Sequence, residues 1–421
     1  MSVKTRNSFI ATGSVVALLL GFVAGLLLKG AELSEATPIV LWLKFIGVVW
    51  VVFLLLLVIP LTSSYLIDVV LSLTKTTTLG KITGYALLVH TLIFLAGMLF
   101  TVSLSLVLFE MLGERLPMLT IGNVSPVISE NINSGSQLRI SGYLDSVTSV
   151  QKQLGKSLLV FLVASVVFAF LAGRFLPVKA HSLHQLVKRT AAKSMDVLQL
   201  FLLSLPVAVF CLIFPLAVES GFTLVGVAGF NMVVLSVFLL AFLGILYVLV
   251  FTKGDITIGT FSRGMLKPQI VAASTRSSLA TIPALIETAD KKFDIPKSLT
   301  AVVIPFFISV FRMNRAISSP FHYIFLIYVY RLELDITNLL MFLGLQILVS
   351  FGSPGIPSSG KMTNMPLYLA AGIPMEGYIL LKAVDAVPDI FKTLLNVTQV
   401  MTVISVVGKK KNWNSVLTEL N

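Results

Sequence analysis

The chain has 421 residues, of which 56% are hydrophobic and only 12% charged. Soluble domains carry about 25% charged residues, so this composition excludes an ordinary soluble enzyme or binding module and leaves an integral membrane protein. Net charge is +12, but the basic residues cluster between apolar runs, which favours membrane orientation over nucleic-acid binding.

Apolar runs predict spanning helices near 9–29, 38–73, 80–109, 156–176, 195–217, 223–252, 298–329 and 376–407. The first follows Lys4 and Arg6, but its length and Lys29 directly after it favour a retained helix over a signal peptide. Its Gly21-x-x-x-Gly25 pair permits close helix packing. Residues 110–155 are polar and rich in Ser, Asn and Gly, so they read as an external variable stretch. Cys211 lies in an apolar run and forms neither an intrachain disulfide nor a metal cluster. Two more segments, near 268–297 and 338–375, are apolar but broken. The first contains Ala273 to Pro283, and the second contains the Gly/Pro/Ser run Ser350 to Gly360. Non-helical backbone survives at membrane depth only where protein buries it or water reaches it. Both segments therefore read as re-entrant helical hairpins whose tips meet near the midplane.

Loop charges orient the chain. With a cytoplasmic N-terminus, the inner loops hold Lys75 and Lys81, then Lys179, Lys188, Arg189 and Lys193, then Lys253, Arg263 and Lys267, then Lys291, Lys292 and Lys297, and finally Lys409 to Lys411. That pattern fits eight crossings plus two hairpins, one entering from each side, with both termini cytoplasmic.

The last run carries Asp385, Asp389, Lys392, Thr393 and Asn396. Charges in hydrocarbon are expensive, so each is a functional candidate. A broken apolar segment beside a polar one points to a carrier's binding site. Asp385 and Asp389 are four residues apart and so fall on one helix face, one turn apart. Aspartyl catalysis brings two carboxylates together from separate elements, and neither a nucleophile elbow nor a metal-binding His pair is present. An enzyme is thereby disfavoured, and no cofactor is expected. A channel remains a rival, to be told apart by the absence of saturation.

The region 255–408 resembles the dicarboxylate/amino acid:cation symporters, the glutamate transporter family. The resemblance rests on Thr275-Arg-Ser-Ser278 through Pro283, on Ser350 to Gly360, and on Asp385-Ala-Val-Pro-Asp-Ile-Phe-Lys-Thr-Leu-Leu-Asn-Val-Thr398. It implies a homotrimer of all-α subunits working as an elevator in a membrane, such as a bacterial inner membrane. Residues 1–79 would be scaffold, 80–110 transport domain, 111–222 scaffold with an extracellular loop, 223–408 transport domain and 409–421 a cytoplasmic tail.

The resemblance also implies a substrate site. Asp389 would hold a substrate ammonium, which favours an amino acid. Lys392 stands where acidic-substrate members carry arginine, keeping the charge but losing the bidentate fork. Thr393 and Asn396 complete that face. Arg276, Ser277 and Ser278, with Ser353, Pro354, Gly355, Ile356 and Pro357, would cradle the main-chain carboxylate. Sodium-coupled members carry Asn-Met-Asp-Gly-Thr in the seventh helix, where this chain reads Phe311-Arg-Met-Asn-Arg-Ala316. Met313 or Asn314 replaces the acid, and Val400 stands where a second sodium-binding acid is usual. Two hard oxygen ligands are therefore lost. Arg312 and Arg315 would fill that space and neutralise Asp385. The expectation is a proton-coupled, sodium-independent importer of an acidic amino acid. Its proton would sit on Asp389, Asp385 or Glu287, with His90 and His322 as weaker candidates. The alternative is a sodium-coupled or uncoupled carrier of dicarboxylates or of other amino acids such as cystine.

Overall fold

The structure is a computed structural model describing residues 3–30, 37–73, 80–112, 135–175, 177–254, 256–295, 300, 303–305, 307–308, 312–351 and 364–410. Among these residues the chain is all-helical, without strands. Six helical stretches are long and apolar enough to cross a membrane: Thr12–Lys29, Pro38–Leu61, Tyr85–Leu112, Leu183–Ser220, Thr223–Lys253 and Ala386–Val407.

The first helices are α1 (Val3–Gly30), α2 (Pro38–Leu73) and α3 (Gly80–Leu112). Next comes α4 (Gly135–Phe175), which starts far ahead of the expected 156. Polar composition suggested a loop there, yet Leu144 is buried and the polar side chains turn back onto their own helix. The Ser146 and Thr148 hydroxyls donate to the carbonyls of Gly142 and Leu144, each at 2.8 Å. Residues 113–134 of the expected external stretch lie outside the described residues.

The predicted 195–217 helix is part of a longer run. It begins with α5 (Pro177–Phe201), passes a 3-10 turn at Leu202–Ser204 and continues as α6 (Leu205–Ser220). The Trp50 indole donates to Ser204 Oγ at 2.8 Å and stacks on Phe201. Helix α1 packs on α6 through the glycine pair. A Cβ on Gly25 would stand 2.6 Å from Ala217 Cβ and 2.8 Å from the Phe214 carbonyl. Helix α2 packs on α4, α5 and α6.

The remaining long elements pack mainly on one another. They open with α7 (Thr223–Lys253), α8 (Ile258–Thr275) and α9 (Ile282–Phe293). Helices α8 and α9 form the first broken hairpin. Thr257 caps α8 by accepting the Thr260 N–H, and Arg276 ends it in the left-handed region at φ 50°. The legs close at Gly264, where a Cβ would stand 2.7 Å from the Phe293 ring.

The predicted 298–329 helix is interrupted: Arg312 and Met313 stand outside α10, which runs Asn314–Val329 and is buried on nearly every side. The second hairpin begins with α11 (Ile336–Phe351) and returns through α12 (Met365–Ala370). The predicted 376–407 helix is split in two. Helix α13 (Met375–Ala383) ends at a turn of Val384 and Asp385, and α14 (Ala386–Lys410) follows. Helix α14 packs against α3, α7, α8, α9 and α10.

Candidate functional site

The site gathers where α14 meets the broken start of α10. Asp385 occupies the turn before α14, and its carbonyl accepts the Asp389 N–H at 2.9 Å, the first bond of the helix. The expectation of two carboxylates on a continuous helix therefore needs correction, because Asp385 sits in the cap position. Asp389 lies in the first turn, where a negative charge complements the helix dipole.

Lys392 is one turn further on. Its ammonium forms an ion pair with Asp385, and both side chains are buried, at 4% and 2% exposure. Lys392 on the same helix thus contributes to the neutralisation of Asp385. Asp389 lies within electrostatic reach of the half-buried Arg312. Arg315, which is buried, donates from Nη1 to the Val349 carbonyl at 2.9 Å, near the end of α11.

Asn396 links α14 to α10 directly. Its Oδ1 accepts the backbone N–H of Asn314 at 2.9 Å and so satisfies one of the orphan donors at the start of α10. The Thr393 hydroxyl donates to the Asp389 carbonyl at 2.8 Å, on its own helix.

The first hairpin's tip is held by local bonds. Ser277 Oγ accepts the Ala280 N–H at 3.4 Å, and the Ser278 carbonyl accepts both the N–H and the hydroxyl of Thr281. Arg276 is exposed, while Ser277 and Ser278 are half-buried. Ser353, Pro354, Gly355, Ile356 and Pro357 lie outside the described residues. Glu287 is engaged elsewhere: Lys267 stands 2.5 Å and Lys291 3.3 Å from its carboxylate. Among the described residues it shares no bond with those around Asp385.

The sequence reading named His90 and His322 but missed the residues that bond them, along with several other links. Gln269 on α8 donates to Thr398 Oγ1 on α14 at 2.9 Å and bonds the Tyr247 hydroxyl on α7. Gln399 Nε2 lies 2.5 Å from Nδ1 of the buried His90 on α3. Ser319 on α10 receives the Asn364 amide at 2.9 Å, and its carbonyl receives the Tyr368 hydroxyl at 3.1 Å. His322 Nδ1 is 3.4 Å from the Lys382 ammonium.

Chemically, the cluster gathers cations and carboxylates at buried and half-buried positions. Among the described residues no group of three or more His, Cys, Asp or Glu side chains is placed to hold a metal ion. Counted formally, Arg312, Arg315 and Lys392 against Asp385 and Asp389 give these five residues a charge of about +1 before any ligand arrives.

The family model described as the sodium:dicarboxylate symporter family matches residues 10–410. Similar curated proteins include excitatory amino acid transporter 3 of Oryctolagus cuniculus, 24% identical over 248 residues, which are 58% of this chain and 47% of that protein. The protein of the same name from Mus musculus is 28% identical over 163 residues, covering 39% of this chain and 31% of the relative. Excitatory amino acid transporter 2 of Homo sapiens is 29% identical over 156 residues, covering 37% and 27%. The chain thus spans less than half the length of these relatives.

Proposed function

Since the chain belongs to the sodium:dicarboxylate symporter family, whose members are transporters and not enzymes, we propose that it is a secondary active importer of an acidic amino acid, aspartate- or glutamate-like. The observation that carries this reading is the charge of the buried cluster. An acidic amino acid carries two carboxylates and one ammonium, about −1 in all at pH 7, and so offsets excess positive charge, which is costly in hydrocarbon. Its ammonium also gives Asp389 a cation partner that a dicarboxylate lacks, and a neutral amino acid would offer Lys392 no distal carboxylate.

The residues take roles in this reading. Asp389 receives the substrate ammonium. Lys392 turns from Asp385 to the distal carboxylate. Arg276, Ser277, Ser278 and the segment from Ser353 to Pro357 receive the main-chain carboxylate. Arg312 and Arg315 stand where sodium-coupled members place hard oxygen ligands, which supports sodium independence and coupling to a proton carried on Asp385 or Asp389. Glu287 fits that role poorly, because two lysines already neutralise it.

The architecture of this reading is eight spanning helices and two re-entrant hairpins in a homotrimer. A scaffold of residues 1–79 and 111–222 would flank an elevator of residues 80–110 and 223–408, with residues 409–421 as a tail. The preferential packing of α14 on α3, α7, α8 and α10 supports that division. An inner bacterial membrane with both termini cytoplasmic fits the loop charges.

The test is uptake of radiolabelled aspartate and glutamate into proteoliposomes under a sodium gradient or a proton gradient alone. Proton-driven uptake is the expected result. Strict sodium dependence would overturn the coupling reading. Absence of uptake under both gradients would turn attention to dicarboxylates, cystine and neutral amino acids.

A further inference from the structure

His322 stands midway along α10 and is wholly buried. Its Nδ1 lies 3.4 Å from the ammonium of Lys382, in the last turn of α13. An ammonium can only donate, so Nδ1 is the accepting nitrogen and the proton of the neutral ring sits on Nε2. That Nε2 is buried and meets no hydrogen-bond partner among the described residues. Lys382 is half-buried, and its ammonium also stands 5.1 Å from the centre of the Tyr378 ring. Lys392, the partner of Asp385, lies within electrostatic reach of the same imidazole.

Helices α3, α7 and α11 pack on α10 as well. The titratable side chains of α3 are Lys81, Tyr85, His90 and Glu110, those of α7 are Tyr247 and Lys253, and α11 has none. His90 is engaged with Gln399 and Tyr247 with Gln269, while Tyr368 on α12 donates to the Ser319 carbonyl. The charges beside the ring are thus the ammoniums of Lys382 and Lys392. A proton added to the imidazole would be a third positive charge next to them, and like charges in a low-dielectric interior repel strongly. A substrate carboxylate drawn to Lys392 offsets one of the two and makes room for that proton.

We propose that His322 is a proton-carrying residue of the transport cycle, which takes up a proton when a substrate carboxylate binds Lys392 and gives it up when the substrate leaves. The neighbouring donor is Lys382: its Nζ–H bond breaks, an Nδ1–H bond forms, and the neutral amine regains a proton from water. Release reverses these bonds. Linkage makes the two bindings mutually supporting, because whatever the substrate adds to proton affinity the proton adds to substrate affinity. The inference rests on the reading above, with Lys392 on the distal carboxylate, and gives its proton coupling an imidazole besides the two carboxylates.

The test uses the full chain purified in detergent, with aspartate as the probe. Binding calorimetry in buffers of different ionisation heat counts the protons taken up with each aspartate, at several pH values. The wild-type chain is expected to take up protons, so its affinity for aspartate should fall as pH rises. His322→Gln should take up about half as many protons or fewer and lose most of that pH dependence. Lys382→Met keeps the imidazole and removes one repelling charge, so its proton uptake should persist and extend to higher pH. Should His322→Gln fail to purify, His322→Asn is read in its place. A purely structural His322 would change stability or overall affinity and leave the proton count at its wild-type value, which would overturn the proposal. A Lys382→Met profile identical to wild type would overturn it equally. Aspartate binding without proton uptake by the wild-type chain would overturn the coupling proposed above and this inference with it. Absence of aspartate binding would overturn the substrate reading on which both rest.

Discussion

The buried Asp385–Lys392 pair makes a sharp prediction. Removing one partner of a buried pair leaves an uncompensated charge and costs about 3–5 kcal/mol, whereas replacing both by neutral groups of similar volume is often close to neutral. The geometry puts this pair in that regime, since its side chains are only 4% and 2% exposed. Unfolding entropy near 2.1 cal/mol/K per residue makes 1 kcal/mol worth roughly 1 °C in a chain of this length. Lys392→Met and Asp385→Asn should therefore each lower the apparent melting temperature by ~3–5 °C. The double variant should fall by less than ~2 °C, far short of the sum. The assay is thermal unfolding of detergent-purified protein, followed by tryptophan emission, as a double-mutant cycle. Single variants within 1 °C of wild type, or a double variant equal to the sum, would refute the reasoning.

Other outcomes follow from the packing and the site. Gly25→Val puts a branched side chain where a bare Cβ already meets Ala217 and the Phe214 carbonyl, so α1 should separate from α6 with a loss of about 1–3 kcal/mol, read as a lower melting temperature. Asn396→Ala orphans the Asn314 N–H and should lose about 1–2 kcal/mol, with faster hydrogen exchange at the start of α10. Gln269→Leu leaves Thr398 and Tyr247 without its amide and should loosen α8 from α14, visible as faster proteolysis of the first hairpin. Asp389→Asn should raise KM for aspartate uptake on the order of 100-fold while sparing inhibition by dicarboxylates that lack an ammonium.

The long helices were legible because their apolar windows exceed what a soluble core needs. The break between α8 and α9 was legible because Ser and Arg interrupt the apolar run there, while residues 352–360 of the Gly/Pro/Ser run lie outside the described residues. The N-terminal half of α4 was missed because hydroxyls bonded to carbonyls one turn back look polar in a sequence yet do not expose the helix to water. The breaks at Arg312–Met313 and Val384–Asp385 were hidden for a different reason. Met313 and Val384 are apolar, and α10 is capped by Asn396, 82 residues later, which no local pattern reveals. The charged residues of the site were identified from the sequence, but their pairing was not. The sequence reading gave Asp385 to Arg312 and Arg315, and its pair with Lys392 depends on the turn ahead of α14.

The bond from Asn396 to Asn314 also orders events at the ribosome. Helix α10 emerges long before the residue that caps it, and Gln269 and His90 likewise wait for Thr398 and Gln399. A nascent chain halted before α14 would hold these amides and the imidazole without their partners. Assembly of this half is therefore completed only once α14 has emerged. Truncations that remove α14 should be recognised by quality-control proteases as unfinished chains.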